Sequence, residues 1–161
     1  MDEIRDNNLA VYDEDNDTTR NKFLTMEIGQ ELFGLEIAMV KEIISVPAIT
    51  KVPKTPEYIK GIINLRGDIV PVVDIRSRFK IEERAYDDAT CIVVIEQEGF
   101  NVGIIVDNVK DVKYIKNENI TSPPSAKLNH TNKYIKNIGR DSNKVILILD
   151  TEKLLYEAQP E

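Results

Sequence analysis

Residues 61–75 constrain the fold more than any other stretch of the sequence, because two apolar runs are broken there by a single glycine-containing turn. The stretch is Gly-Ile-Ile-Asn-Leu-Arg-Gly-Asp-Ile-Val-Pro-Val-Val-Asp-Ile. Both runs are rich in β-branched residues, which favour strands, and Gly67 adopts positive φ at little cost. The pattern predicts a β-hairpin whose turn lies at Arg66-Gly67.

Short strand-like segments recur along the rest of the chain, separated by turn signals. Residues 22–28 and 31–37 alternate apolar and polar side chains around Gly29 and predict a second hairpin. A charged linker at 82–88 precedes further predicted strands. These strands cover residues 91–95, 101–106, 112–115 and 144–149. So many short strands predict a mainly β fold, either one small barrel or a pair of barrels, with helices as minor elements.

A short helix is predicted over residues 38–44. Val40, Ile43 and Ile44 have helical spacing there, and Pro47 would end the helix.

The C-terminal part of the chain gives weaker signals. A helical or turn segment is predicted at 76–79, and the polar stretch 117–136 predicts a long surface connection. A terminal helix is predicted over 152–158, with Leu154 and Leu155 docked on the body of the domain.

Two stretches of the sequence resemble each other. The pattern Ile-x-Gln-Glu-x-Phe-x-aliphatic-x-Ile occupies residues 28–37 and, 67 positions later, residues 95–104. Each copy is followed by Val-Lys-acid-aliphatic, at 40–43 and at 109–112, with a two-residue insertion in the second copy. Two explanations stay open, a repeated β unit and a chance likeness between two hairpins.

Acidic charge is concentrated at the N-terminus. Met1–Arg20 carry seven acids against two bases, and few of these residues are apolar. Such a segment cannot bury enough apolar surface to offset the entropy of ordering it. The sequence therefore predicts a disordered acidic tail over 1–20, followed by one domain over 21–158 whose two subdomains meet near 80–90.

Composition excludes several classes of function. The net charge of −7 opposes binding to nucleic acid or to an anionic membrane surface. No apolar stretch approaches the ~20 residues of a membrane span, and no secretory leader is visible, so we expect a cytoplasmic protein. One cysteine, Cys91, and one histidine, His130, leave no disulfide and almost no material for a metal site. We expect no catalytic residues, no metal and no cofactor.

The segment 61–76 also resembles the signature of the CheW family, with its glycine, its Asn-Leu-Arg-Gly turn and its Pro-x-x-Asp strand, and the likeness extends over residues 23–155. The resemblance implies two five-stranded SH3-like β-barrels that share a hydrophobic core, with short helices and a C-terminal helix. It implies a non-catalytic adaptor of bacterial chemotaxis. Such an adaptor couples methyl-accepting chemoreceptors to the chemotaxis histidine kinase, by binding the receptor's cytoplasmic tip and the kinase's regulatory domain. We expect a monomer in isolation that is recruited to membrane-associated receptor arrays.

The resemblance also implies binding residues. Arg66 matches the family's receptor-coupling arginine, and Val40 and Cys91 fall at apolar positions that line a receptor groove. Ile43 completes this groove, and Glu42, on the predicted helix, falls in the region used for kinase contact. The predicted receptor- and kinase-binding residues are Asn64, Leu65, Arg66, Gly67, Val40, Glu42, Ile43 and Cys91.

Simpler interpretations stay open beside these. Arg66 could be an ordinary exposed turn charge, and Val40, Ile43 and Cys91 could be plain core residues. The alternative function is a small β-barrel that binds single-stranded nucleic acid, which the acidic charge and the lack of tryptophan oppose.

Overall fold

The computed structural model describes residues 19–123 and 132–156. Within these residues the chain forms β-strands joined by tight turns, with a few short helices, so the prediction of a mainly β fold is confirmed. Most of the predicted tail and the end of the predicted terminal helix lie outside the described residues. The strands are β1 Lys22–Ile28, β2 Glu31–Glu36, β3 Val40–Ser45, β4 Ile59–Leu65, β5 Asp68–Asp74, β6 Cys91–Gln97, β7 Phe100–Val106, β8 Asn108–Tyr114, β9 Ile120–Thr121, β10 Ile135–Asp141 and β11 Lys144–Leu149. The α-helices are α1 Ile75–Arg78 and α2 Thr151–Tyr156, and 3-10 turns occupy Ile37–Met39, Asn117–Asn119 and Asn132–Tyr134.

The strands assemble into two sheets with the same internal order. One sheet has the order β8-β1-β2-β11-β10-β9, and the other has the order β3-β6-β7-β5-β4. In each sheet a hairpin, β1–β2 or β6–β7, pairs in parallel with the second strand of another hairpin, β11 or β5. The strand that follows each first hairpin crosses over, since β3 pairs with β6 and β8 pairs with β1. Each sheet therefore contains strands from both halves of the chain.

The equal strand order of the two sheets shows which strands correspond in the two halves of the chain. Strands β6 and β7 begin 69 residues after β1 and β2, and β8 begins 68 residues after β3. The Val-Lys-acid-aliphatic segments are also 69 residues apart. The longer sequence likeness, at an offset of 67, does not align the β1–β2 turn with the β6–β7 turn. Two similarly built β units are thus present, and the likeness at 67 is fortuitous.

Each sheet with its connections forms one unit of the fold. Apolar side chains form one cluster inside each unit and a third cluster between the two units. The cluster between the sheets contains Leu24, Met26, Phe33 and Leu35 from one sheet, and Val93, Ile95, Ile104 and Val106 from the other. The interiors of the units hold Ile63, Val70, Val72 and Ile92 in one case, and Phe23, Ile115, Ile146 and Ile148 in the other. The predicted fold class, two five-stranded units sharing a core, is confirmed, and the two-residue β9 extends one sheet.

The helix predicted over residues 38–44 is wrong. A 3-10 turn ends at Met39, and residues 40–45 form strand β3. The ladder with β6 shifts register between Val40 and Glu42, so one extra residue bulges out there. A bulge puts side chains three apart on the same face of a strand, and Val40 and Ile43 thereby imitate helical spacing.

Residues 124–131 of the predicted surface connection over 117–136 lie outside the described residues, and the rest of that prediction is only partly right. Residues 120–121 form β9, and β10 begins at Ile135 and continues through a stretch for which the sequence predicted no strand. Its register also shifts, between Ile135 and Asn137, so its apolar residues 135 and 138 lack the period of two by which strands are recognised.

Arg78 holds the terminal helix on the domain. Its guanidinium lies between two rings, 4.4 Å from the centroid of Tyr58 and 4.5 Å from that of Tyr134. Its Nε donates a 2.9 Å hydrogen bond to the Leu154 carbonyl in α2. The Leu154 side chain is fully buried, as predicted.

Arg78→Ala should therefore loosen α2. We expect a loss of about 2 kcal/mol in the free energy of unfolding, because a desolvated cation–π contact and one hydrogen bond disappear together. Amide hydrogen exchange at Leu154 should accelerate by more than that of the β6–β7 hairpin. Equal acceleration in both places would contradict a local role for Arg78.

Candidate functional site

The β4–β5 turn presents Arg66 at its tip. Arg66 and Gly67 both have positive φ, 52° and 93°, which is the pattern of a type I′ hairpin. The Asn64 side chain braces the turn, since its Oδ1 accepts a 2.9 Å hydrogen bond from the Gly67 N–H. Leu65 is half-buried and packs against the interior cluster of this unit. Three of the four predicted turn residues therefore hold the fourth, Arg66, in an exposed position.

Arg66 is bound within the chain by Glu42. Its Nη1 donates a 3.2 Å hydrogen bond to one carboxylate oxygen of Glu42, and its Nη2 bonds the other. The hydrogen bond from Arg66 lowers the pKa of Glu42, and the carboxylate in turn raises the pKa of Arg66. The Arg66 side chain is 70% exposed, so the guanidinium stays within reach of another molecule. The sequence assigned these two residues to different partners, and the structure joins them.

Val40, Ile43 and Cys91 share one face of the β3–β6 ladder. Val40 lies opposite Ile95, Ile43 opposite Val93, and Cys91 opposite Ser45. Residues directly opposite project to the same side of a sheet, and so do residues two apart in a strand, so all three predicted groove residues point the same way.

This face continues the apolar cluster between the sheets outward to solvent. Val40 and Cys91 are half-buried against that cluster, while Ile43 is 43% exposed. Burial raises the pKa of the Cys91 thiol, and its Sγ lies 3.3 Å from the Ala89 carbonyl oxygen. The edge of the shared core is therefore open to a partner at Ile43.

The ion pair and the apolar face lie on opposite sides of β3. Glu42 stands opposite Val94, whose side chain belongs to the interior of the five-stranded unit, whereas Ile43 stands opposite Val93 of the shared core. The predicted site is therefore two adjacent surfaces, one charged and one apolar, joined by a single strand.

The sequence did not predict a charged cluster centred on Asp107. Arg76 donates two hydrogen bonds to its carboxylate, of 2.9 Å and 2.7 Å, and Arg84 donates a third of 3.2 Å. The Gly29 N–H adds a fourth, of 2.8 Å, from the β1–β2 turn. Asp107 joins β7 to β8, so its carboxylate ties together segments from both sheets. Arg76 ends the signature segment and Asp107 follows β7, but nothing in their spacing indicates that they pair.

Across residues 19–123 and 132–156, no three or more His, Cys, Asp and Glu side chains gather as a metal ion would require.

In the part of the chain that the structure describes, neither α1 nor α2 has the length and apolar character of a membrane span.

Several chemotaxis proteins are similar to this chain in sequence and in fold. The family model for the CheW-like domain matches residues 22–159. "Chemotaxis protein CheW" of Klebsiella aerogenes is 34% identical over 139 residues, covering 86% of this chain and 84% of the relative. The protein of the same name from Bacillus subtilis is 31% identical over 137 residues, covering 85% and 88%. The crystal structure of the scaffolding protein TtCheW from Thermoanaerobacter tengcongensis matches with a TM-score of 0.79 and 37% identity, covering 84% of this chain and 92% of that one.

Proposed function

The chain belongs to the CheW-like domain family of chemotaxis scaffold proteins, which are not enzymes, and on that premise we propose that it couples chemoreceptors to the chemotaxis histidine kinase. In this proposal one surface binds the cytoplasmic tip of a methyl-accepting receptor and another binds the regulatory domain of the kinase. The observation that carries the proposal is the pair of adjacent surfaces on the two sides of β3, because an adaptor must offer two contacts at once.

The apolar face suits the receptor. A receptor tip is a bundle of helices, and a helix can lay one apolar side along Val40, Ile43 and Cys91. Burial of that surface contributes roughly 25 cal/mol per Å² before the costs of association. Affinity for the receptor would come mainly from this face.

Arg66 suits the role of fixing register. A guanidinium binds carboxylates in a planar, two-pronged arrangement, which it already makes with Glu42. An acceptor on the receptor would compete with Glu42 for the exposed guanidinium. The contact with the receptor would then exchange one charge-assisted hydrogen bond for another, which adds specificity more than affinity.

Glu42 and its neighbours on the charged side of β3 suit the kinase. Glu42 is released from Arg66 whenever the arginine turns to another acceptor, so its availability to the kinase depends on the receptor contact. A rigid pair of sheets with a shared core can transmit such a change, because packed cores do not deform continuously. No chemical step is needed, since holding receptor and kinase together raises the effective concentration of each near the other. The site of this coupling would be the membrane-associated receptor array.

Arg66→Ala should separate the two contacts. We expect affinity for a receptor-tip fragment to fall on the order of tenfold, because the receptor's acceptor group loses its charged donor, while affinity for the kinase regulatory domain is kept or rises, because Glu42 is then free of Arg66. Isothermal titration calorimetry with each partner in turn measures both values. The matched control is Arg140→Ala, which removes an exposed arginine from β10, on the other sheet.

Three results would count against the proposal. If Arg66→Ala lowered the affinity for receptor and kinase equally, the two partners would not bind separate surfaces. If Arg140→Ala lowered the affinity for the receptor tip as much as Arg66→Ala does, Arg66 would act only as one of several surface charges. Failure of the wild type to bind either partner would contradict the adaptor function itself, and binding to oligonucleotides would then be tested as the alternative.

A further inference from the structure

The two crossovers between the sheets are contacted by corresponding helices, but in unequal ways. Helix α1 follows β5, and α2 follows β11, the corresponding strand of the other sheet. An aspartate caps each helix, since the side chains of Asp74 and Asp150 accept hydrogen bonds of 2.9 Å and 3.1 Å from backbone N–H groups in the first turn. Helix α1 contacts the β7–β8 crossover through Arg76 and Asp107. Helix α2 contacts the β2–β3 crossover through Thr151.

The β7–β8 crossover is short and firmly held. It consists of Asp107 alone, whose carboxylate accepts the hydrogen bonds from Arg76, Arg84 and the Gly29 N–H. Hydrogen bonds between charged groups are about twice as strong as those between neutral groups, and this carboxylate is largely buried. A movement of this crossover would break several of these bonds at once.

The β2–β3 crossover is longer, and its helix contacts it with a hydroxyl group instead of a charged group. It is the 3-10 turn Ile37–Met39, in which Ile37 and Met39 pack against the apolar cluster between the sheets. The buried Thr151 hydroxyl lies 3.5 Å from Met39 Sδ and donates a 2.8 Å hydrogen bond to Gln97 Oε1, at the end of β6. Thr151 therefore links α2 both to the turn and to the strand beside it.

This turn leads directly into the apolar face on β3. The Val40 N–H donates a hydrogen bond to the Ile37 carbonyl and so closes the 3-10 turn. Val40 pairs with Ile95 in the β3–β6 ladder, and the register shifts immediately after it, so this is the single ladder pair before the bulge. Gln97 lies two residues beyond Ile95 in β6, so Thr151 bonds to the same strand that pairs with Val40. The position of Val40 therefore depends on how the turn is held.

We propose that α2 positions the receptor-binding face, with Thr151 as the residue that holds the β2–β3 crossover and thereby fixes Val40. This inference rests on the proposed binding of a receptor at Val40, Ile43 and Cys91. The bulge after Val40 separates it from Glu42, on the charged side of β3. A looser crossover therefore changes the apolar face and leaves the kinase contact in place. Thr151 is a positioning residue, because it acts through Val40.

Two variants of Thr151 each remove one group of its side chain. Thr151→Val keeps the shape and removes the hydroxyl, so Gln97 Oε1 loses its donor, whereas Thr151→Ser keeps the hydroxyl and removes the methyl group. We expect Thr151→Val to lower the affinity for a receptor-tip fragment about three- to tenfold, the range that one hydrogen bond accounts for. Thr151→Ser should restore the wild-type affinity. Titration calorimetry should show the same affinity for the kinase regulatory domain in both variants.

Methyl nuclear magnetic resonance of the free protein gives a second measurement that needs no partner. The Val40 methyl signals should shift in Thr151→Val and return in Thr151→Ser. The matched control is Lys153→Ala, which changes an exposed residue of the same helix and should leave Val40 unchanged. The Val112 signals should stay constant throughout, because Val112 follows the other crossover.

The outcomes separate this inference from the proposed function. If the wild type binds the receptor tip and Thr151→Val binds it as tightly, the inference is wrong and the proposed function stands. Equal losses in Thr151→Val and Thr151→Ser, or equal losses of receptor and kinase affinity in Thr151→Val, would also overturn it, because general packing and not the hydroxyl would be responsible. Failure of the wild type to bind the receptor tip would contradict the proposed function and this inference with it.

Discussion

Replacing Gly61 with alanine should cost about 3 kcal/mol or more in the free energy of unfolding, the largest loss expected from any added methyl group in this domain. Gly61 has a φ of 148°, a conformation that costs other residues roughly 1–2 kcal/mol. A Cβ there would lie 2.1 Å from the Thr50 carbonyl oxygen and 2.8 Å from Ile49 Cγ2. The backbone of Thr50 exchanges two 2.9 Å hydrogen bonds with Ile62, so moving it away would break the bridge that borders β4.

Chemical unfolding in urea at neutral pH measures this loss, and Gly99→Ala supplies the control. Gly99 also has positive φ, 86°, but a Cβ there would meet no atom within 4 Å. We expect this control to lose only about 1 kcal/mol, the conformational cost alone. Similar losses in the two variants would show that the approach of Thr50 to Gly61 does not limit stability.

Asp107→Ala should cost about 3–5 kcal/mol, the typical penalty for removing one member of a buried ion pair. The Arg76 and Asp107 side chains are only 15% and 11% exposed, so alanine would leave a desolvated guanidinium without its carboxylate. The Gly29 N–H would lose its acceptor as well. Asp141→Ala is the matched control, because its ion pair with Lys113 is about one-third exposed on both sides and should contribute under 1 kcal/mol.

The contribution of Asp107 should also depend on pH. Burial alone would raise the pKa of Asp107, but the hydrogen bonds from Arg76 and the Gly29 N–H, with the positive charge of Arg84, lower it overall. A pKa lowered by folding gives stability that is present above the unfolded value, roughly 3.9, and lost as the pH falls through the folded value. The stability of wild type and Asp107→Asn should therefore differ at neutral pH and converge in acid. A constant difference across this range would contradict the assignment.

Alternation next to a turn could be predicted from the sequence, and two strands whose alternation is broken by a bulge could not. The hairpins of β1–β2 and β4–β5 keep a period of two next to their glycine turns, and the register shift of β4 lies at its far end, between Ile59 and Gly61, so their place and type were predictable. The bulges in β3 and β10 alter that period locally. In β3 the altered period resembled a helix, and in β10 it resembled no regular element.

The candidate site was predictable to a similar degree. The exposed arginine turn follows from local sequence, because Asn64 and Gly67 determine the conformation of their own hairpin. The contact between Arg66 and Glu42 joins residues 24 positions apart on strands that are not neighbours in the sheet, and no local pattern encodes it. The same holds for Asp107 and Arg76, which meet only because the crossover from β7 to β8 passes α1.

The crossing of β3 and β8 between the sheets has a consequence for synthesis on the ribosome. While only the first half of the chain has emerged, β1 lacks its partner β8, β2 lacks β11, and β3 lacks β6. The early chain therefore presents unpaired strand edges, which invite association with other nascent chains or with chaperones. Neither half can be expected to fold as an autonomous fragment, and two fragments split in the 82–88 linker should become structured only when mixed.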